Sequence, residues 1–574
     1  MNLRDLSLCL LLGLLPLGSA SCGEPDGAGT EGSDPGASEG TTTVGGSDSG
    51  GSGADPDTGG SNLGASSANS GGTATDSGGA NSGGSAANSG TGGSDSGGST
   101  GGAIEHPAGG SETRTGGAGG TGATESGTGG ADPGGSGGSE IETGGTAAGS
   151  GGDPTTCSID VTTKSLSAAI PTVGIVEWST DLPGITEASI EFGLDTTYGM
   201  TAPVDLTEAN HRTLILGMKA GGHAYHFRVV ARAGDQVCTS QDDTLPPTGD
   251  PPTSLPLLTF TPAEAAGLDG GFLVFETLKQ TFGTGVPDSP AFIVDGDGDF
   301  VWWYENTGII DVGRTRQSYD GKYMWIAAVN VLSQQDRVIR VKMDGTDEQD
   351  FTNEFAELNH DFAVWSDETI AFLAYGSNGC DDIKERSPDG TVTTIINSGT
   401  AVGASACHCN AIQYDRNDDT ILFSELDTSS IVKVSRDTHE VVWVMSSQNA
   451  AAATVTGIDW VNQHGLHVID ENHLLFFNNN TGPNATAIEA ELSINGGMGT
   501  ATQIWSYPSD LTVQILGDVQ RLPNGNTLVT YSTAGEIREV DPSGTVLQTI
   551  KSVGSGNLFG FAEKRRSLYG PPPR

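Results

Sequence analysis

Basic side chains are scarce in this 574-residue chain: Lys and Arg number 26 against 72 Asp and Glu, a net charge of −46. No basic stripe is present to neutralise phosphate, which argues against nucleic acid as a partner; the acidity serves solubility. Aromatic and branched apolar residues are almost missing from residues 23–152, which are dominated by Gly, Ser, Thr and Ala and carry sixteen acids against the single Arg114. Such a segment cannot bury enough surface to offset its ordering entropy, and it reads as a disordered tether over 22–152. The strict glycine period of collagen is absent too. A Gly-rich coil of about 130 residues has an end-to-end distance of roughly 60 Å. A long apolar run is also lacking. Leu6–Leu17 is too short for a secure membrane span, but with Arg4 ahead of it the pattern predicts a secretory signal over 1–21.

The end of that signal, Leu17-Gly18-Ser19-Ala20-Ser21-Cys22, resembles a bacterial lipobox, with Ser19 in place of the more usual leucine. The resemblance implies cleavage before Cys22, lipid on its thiol and new amine, and an anchor in a membrane. Gly23 rather than aspartate after the cysteine points to the outer membrane or cell surface. Of seven cysteines, Cys9 leaves with the signal. Cys157 and Cys238 bracket the next segment and are expected to form a disulfide in an oxidising compartment. Cys380 is expected to pair with Cys407 or Cys409, leaving one thiol over. Cys407-His408-Cys409 lacks the second paired set of a structural zinc site. Asp295, Asp297 and Asp299 alternate as in a calcium loop, but no carboxylate follows at the twelfth position, so a turn is expected instead. No metal or cofactor is expected.

Residues 153–250 alternate in period two, with strands at Val173–Trp178, Ala188–Gly193 and Ala224–Val230. Trp178, Glu191-Phe192-Gly193 and Gly222-His223-Ala224-Tyr225-His226-Phe227-Arg228-Val229 resemble the sandwich core of a fibronectin type III domain. Pro246, Pro251 and Pro252 mark the exit.

Residues 255–574 repeat. Strand patterns recur at Gly270–Phe275, Asp320–Trp325, Asp367–Phe372, Asp418–Phe423, Asp470–Leu475 and Pro523–Val529, a spacing of roughly 46–54 residues that suits one four-stranded propeller blade per repeat. The fold class expected for the chain is therefore all-β: a six-bladed β-propeller behind a sandwich and a tether. Asp297-Gly298, Asp389-Gly390 and Asp541-Pro542-Ser543-Gly544 read as hairpin turns between outer strands. His360, His408 and His464 precede three of the strand patterns by a similar interval. On innermost strands of successive blades they would face one channel, as bases, acids, nucleophiles or ligands. His467, three residues beyond His464, is expected on the other face of its strand.

The propeller segment resembles bacterial arylsulfate sulfotransferase. The resemblance rests on Asn359-His360-Asp361, His408-Cys409-Asn410-Ala411-Ile412, Ile431–Val434 with Glu440–Trp443, Gln463-His464 followed by Leu474–Asn479, and Asp518–Val529. It implies that His464 takes a sulfuryl group from a phenolic sulfate and passes it to a phenol in two half-reactions. His408 and His360 would then bind sulfuryl oxygens or move protons, and Asn410 would orient its neighbour. The chain also departs from the family. Leu426 stands where a sulfate-binding arginine is expected, Asn478 replaces an aspartate, and Gly465 replaces a second. Arg314, Arg316 or Arg521 is the candidate for the missing charge. Two readings stay open: a surface-anchored arylsulfotransferase-like enzyme, and a propeller that keeps the fold as a ligand-binding module without turnover.

Overall fold

The computed structural model describes residues 157–262, 266–279, 289–328, 336–403, 405–480, 484–553 and 557–571. The expected signal, Cys22 and the tether lie outside them. The described chain is all-β, with seven hydrogen-bonded sheets and only short helical turns such as Ser398–Val402.

Two sheets belong to the N-terminal segment. Ile159–Leu166, Gly174–Thr180 and Thr213–Ile215 form one; Met200–Pro203, Glu187–Gly193, His226–Ala233, Gln236–Thr239 and Asp243–Thr244 form the other. Their period-two alternation buries one face of each, and Val176, Trp178, Ile190, Phe192, Phe227 and Val229 share one core. A disulfide joins Cys157 to Cys238.

The remaining strands fall into six antiparallel runs of four. The first run is Asn557–Arg565, Phe272–Lys279, Ala291–Asp295 and Phe300–Tyr304. The next four open with Val312–Gln317, Leu358–Val364, Cys409–Asp415 and Gln463–Val468, and the sixth opens with Asp518–Arg521. Runs four and five are tied into one nine-stranded sheet by the parallel strand Val455–Thr456, and Leu258–Thr261 adds an outer strand to run six. Second strands such as Ile370–Tyr375 and Thr420–Glu425 are buried nearly end to end, because their two faces meet the neighbouring runs; this is why they read as continuous apolar stretches. All six sequence repeats fall on second strands.

Each opening strand lies against the next, and Asp518–Arg521 lies against Asn557–Arg565, so the six opening strands close on one another. The C-terminal strand thus supplies the innermost member of the run that Phe272–Lys279 continues.

The N-terminal sheets dock on runs one and two. Ile170, Val173 and Leu216 enter the core around Val301, Trp302 and Met343, and Arg212 pairs with Asp344 at 2.7 Å. Lys219 Nζ stands among Asp295, Asp297 and Asp299 at 3.2, 2.5 and 2.9 Å. The aspartate trio is indeed a turn: Asp295 Oδ1 accepts from the amides of Asp297 and Asp299.

Candidate functional site

Five of the six opening strands carry one or two extra residues. Against the second strands, Gly313, Asn410 and Gly465 are each inserted into an otherwise regular register, two residues are inserted between Leu358 and Phe362, and Asn557–Arg565 has its own insertion at Gly560–Phe561. Such bulges re-aim side chains and break the alternation. His464 pairs with Phe477 and His467 with Leu475, so both histidines share a face. This corrects the expectation from strict alternation that His467 turns away. Gly465 has φ +28°, and a Cβ there would lie 2.6 Å from Asp518 Cα and 2.7 Å from Gly517 O.

The bulged ends bring the three histidines together. His360 lies inside its strand and His464 inside the next but one, while His408 sits one residue before Cys409–Asp415. His360 Nε2 and His408 Nε2 are 3.3 Å apart, so one donates and the other accepts. His360 and His464 are buried and His408 half-buried. Burial, and then the rings of His408 and His464, hold His360 well below the usual imidazole range. Burial also lowers His408, against the pull of Asp427. His464 is lowered to about 4, by burial first, against its hydrogen bond with Asn479. All three rings are therefore neutral at pH 7.

Asn479 settles the tautomer of His464. Its Nδ2 donates to the carbonyls of Val513 (3.1 Å) and Leu516 (2.8 Å), which can only accept. Its Oδ1 is therefore the atom facing His464 Nδ1 at 2.7 Å, and Nδ1 must carry the proton. Nε2 is left with its lone pair. Nothing in the strand pattern separates Asn479 from Asn478, which instead accepts from the amides of Val461 and Asn480.

Neighbouring polar groups hold the frame. Asn410 donates to Gln463 O at 2.7 Å, and its Oδ1 is buried without a partner. Gln463 spans runs four and five, donating to Ser424 Oγ, Glu425 O and Ser430 O and accepting from Trp460 Nε1. Cys380 is bonded to Cys407, which pins the approach to His408 and removes Cys407 as a metal ligand; Cys409 is the free, buried thiol. Leu426 donates its amide to His408 O at 2.8 Å, so the residue at the expected arginine position adjoins His408.

The three arginines lie elsewhere. Arg314 is buried between Asp361 (2.8 Å) and Asp518 (3.4 Å), and the half-buried Arg316 lies between Asp361 (3.5 Å) and Glu563 (3.3 Å). Both line a cavity of about 150 Å³ reached by the later residues of the same strands, among them Ala363, Gln413 and His467. Three residues of strand, about 10 Å, separate that level from His464. Arg521 reaches neither place: its guanidinium binds Glu489, Thr527 Oγ1 and Gly525 O. The charges acting on the three rings are those of one another and of Asp427, with no arginine among them.

Residues 398–562 match the family model described as Arylsulfotransferase (ASST). The matched segment takes in His408, Asn410, His464 and Asn479 and leaves His360 outside. No curated protein matches the chain. Among solved structures, TolB from Acinetobacter baumannii is similar with a TM-score of 0.36 and 13% identity, over 60% of this chain and 81% of that one. An auxiliary nutrient binding protein from Bacteroides thetaiotaomicron gives 0.32 and 9%, over 73% and 91%. A virginiamycin B lyase from Staphylococcus aureus gives 0.30 and 13%, over 51% and 88%. At such scores these likenesses carry no argument. The match supports an arylsulfotransferase-like reading of residues 398–562.

Proposed function

We propose that the six runs are the blades of one propeller and that it transfers a sulfuryl group from a phenolic sulfate ester to a phenol through His464. The observation that carries this reading is the hydrogen bond from His464 Nδ1 to Asn479, which leaves Nε2 unprotonated in a buried site. In the first half-reaction Nε2 attacks sulfur, the S–O bond to the aryl group breaks, and the phenolate leaves. In the second, the acceptor phenol attacks sulfur, its proton passes to a base, and the N–S bond breaks to restore His464. The His360–His408 pair is suited to moving that proton, because two neutral imidazoles already share one hydrogen bond. Asn410 is placed to orient its neighbours. The N-terminal sandwich, read as a fibronectin type III-like spacer, and lipid on Cys22 would hold the domain at the outer membrane or cell surface.

Leu426 favours a second reading. Sulfuryl transfer needs donors aimed at the equatorial oxygens, and among the described residues no guanidinium acts on the rings. A propeller that binds aryl sulfates without turnover fits that lack. Incubation with a chromogenic aryl sulfate and a phenol acceptor separates the two. Transfer by the native chain, abolished in His464→Ala and raised in Leu426→Arg by up to about 10²–10³-fold, supports the enzyme. Binding without transfer in both the native chain and Leu426→Arg decides for the binding module.

A further inference from the structure

The cavity at the far level of the opening strands has no part in the proposed transfer. Arg314, Arg316, Arg416 and Arg565 line it, together with His467 and Glu563. A chain with a net charge of −46 has few cations to place, and gathering four guanidinium groups around one void sets like charges against each other. Counter-charge on hand is shared. Glu563 serves both Arg316 (3.3 Å) and Arg565 (3.2 Å). Asp361 serves both Arg314 and Arg316, and Asp518 gives Arg314 a longer contact at 3.4 Å. Nε of Arg316 and Nε of Arg565 are buried with no hydrogen-bond partner. Buried donors left unpaired are costly, and they are ordinarily paired by protein, water or a ligand.

We infer that this cavity binds a small organic oxyanion, a carboxylate or a phosphate, independently of the three histidines. Guanidinium forks match the planar carboxylate and the phosphate oxygens better than any other side chain does. A cavity of about 150 Å³ admits a compact acid. Arg416, exposed at the rim, stands where such an anion would enter. The inference does not depend on sulfuryl transfer, since the arginines act on none of the rings that the transfer uses.

The test is calorimetric titration of the full chain with inorganic phosphate and, separately, with succinate. Saturable binding of at least one is expected. Arg416→Gln and Arg316→Gln should each weaken it about tenfold or more, as for loss of a charge-assisted contact, while His464→Ala leaves it unchanged. Arg316 also holds Asp361 and Glu563, so its variant is checked by circular dichroism and thermal unfolding; Arg416→Gln, at the rim, keeps the test decisive if that variant does not fold. Binding of phosphate alone would narrow the ligand to a phosphate or phosphate ester, and of succinate alone to a carboxylic acid. No binding of either anion at tens of millimolar overturns the inference. So does binding lost in His464→Ala but kept in Arg416→Gln, which would put the anion at the histidines.

Discussion

In the proposed transfer His464 would attack sulfur from an unprotonated ring nitrogen, and Asn479 decides which nitrogen that is. Removing the amide in Asn479→Ala frees the ring to adopt the other tautomer and strands the carbonyls of Val513 and Leu516. Transfer is expected to fall about 10–100-fold, as for loss of an orienting partner, and unfolding in denaturant to show a loss of about 1–3 kcal/mol. Substrate binding measured in the absence of an acceptor should change little, which distinguishes loss of orientation from collapse of the site. The lowered pKa has its own consequence. An ordinary imidazole takes its proton near 6.5 as pH falls, whereas His464 does so at about 4. The sign is that acid removes the lone pair, so the rate should hold from pH 8 down to about 5 and drop only below it. A rate already halved near pH 6.5 would mean that the ring is not buried in the reacting state.

At the level of the strand, the bulge is what builds the site. Gly465 permits it, with its positive φ and with Asp518 and Gly517 against the place of a Cβ. Gly465→Ala is expected to cost about 2–3 kcal/mol in denaturant unfolding and to depress transfer by turning His464. Bulges also explain how far the sequence could be read. The six second strands were legible because they are buried on both faces and so appear as apolar runs at an even spacing. In the opening strands the position of the histidines is legible but the facing of single side chains is not, since an inserted residue erases period two close to the candidate site. Strict alternation puts His467 on the wrong face for that reason, and nothing in Leu474–Asn479 marks Asn479 as the partner of His464. The arginines escape the sequence for another reason: type and chain position offer Arg314, Arg316 and Arg521 as sulfate ligands, but their reach is set by Asp361, Asp518, Glu563 and Glu489, acids distant in sequence. The Cys157–Cys238 bridge, by contrast, could be read from spacing and compartment alone.

Over the whole molecule, the closing pair is Phe272–Lys279 with Asn557–Arg565. A chain ending before Asn557 loses that strand, Glu563 and Arg565 together, and leaves Phe272–Lys279 with an open edge. Such an edge recruits other chains, so the truncated protein is expected to elute as aggregates in size-exclusion chromatography, whereas one ending after Pro571 should elute as the full chain does. The same pairing puts a clock on biosynthesis. Phe272 meets Arg565, its partner made almost 300 residues later, which at ribosomal speed is roughly 15–60 s. For that interval the nascent chain has its second strand exposed and its ring unclosed, so any step that needs the polypeptide still threadable has the time of translation in which to act, and any chaperone that shields it must stay until the last strand is released.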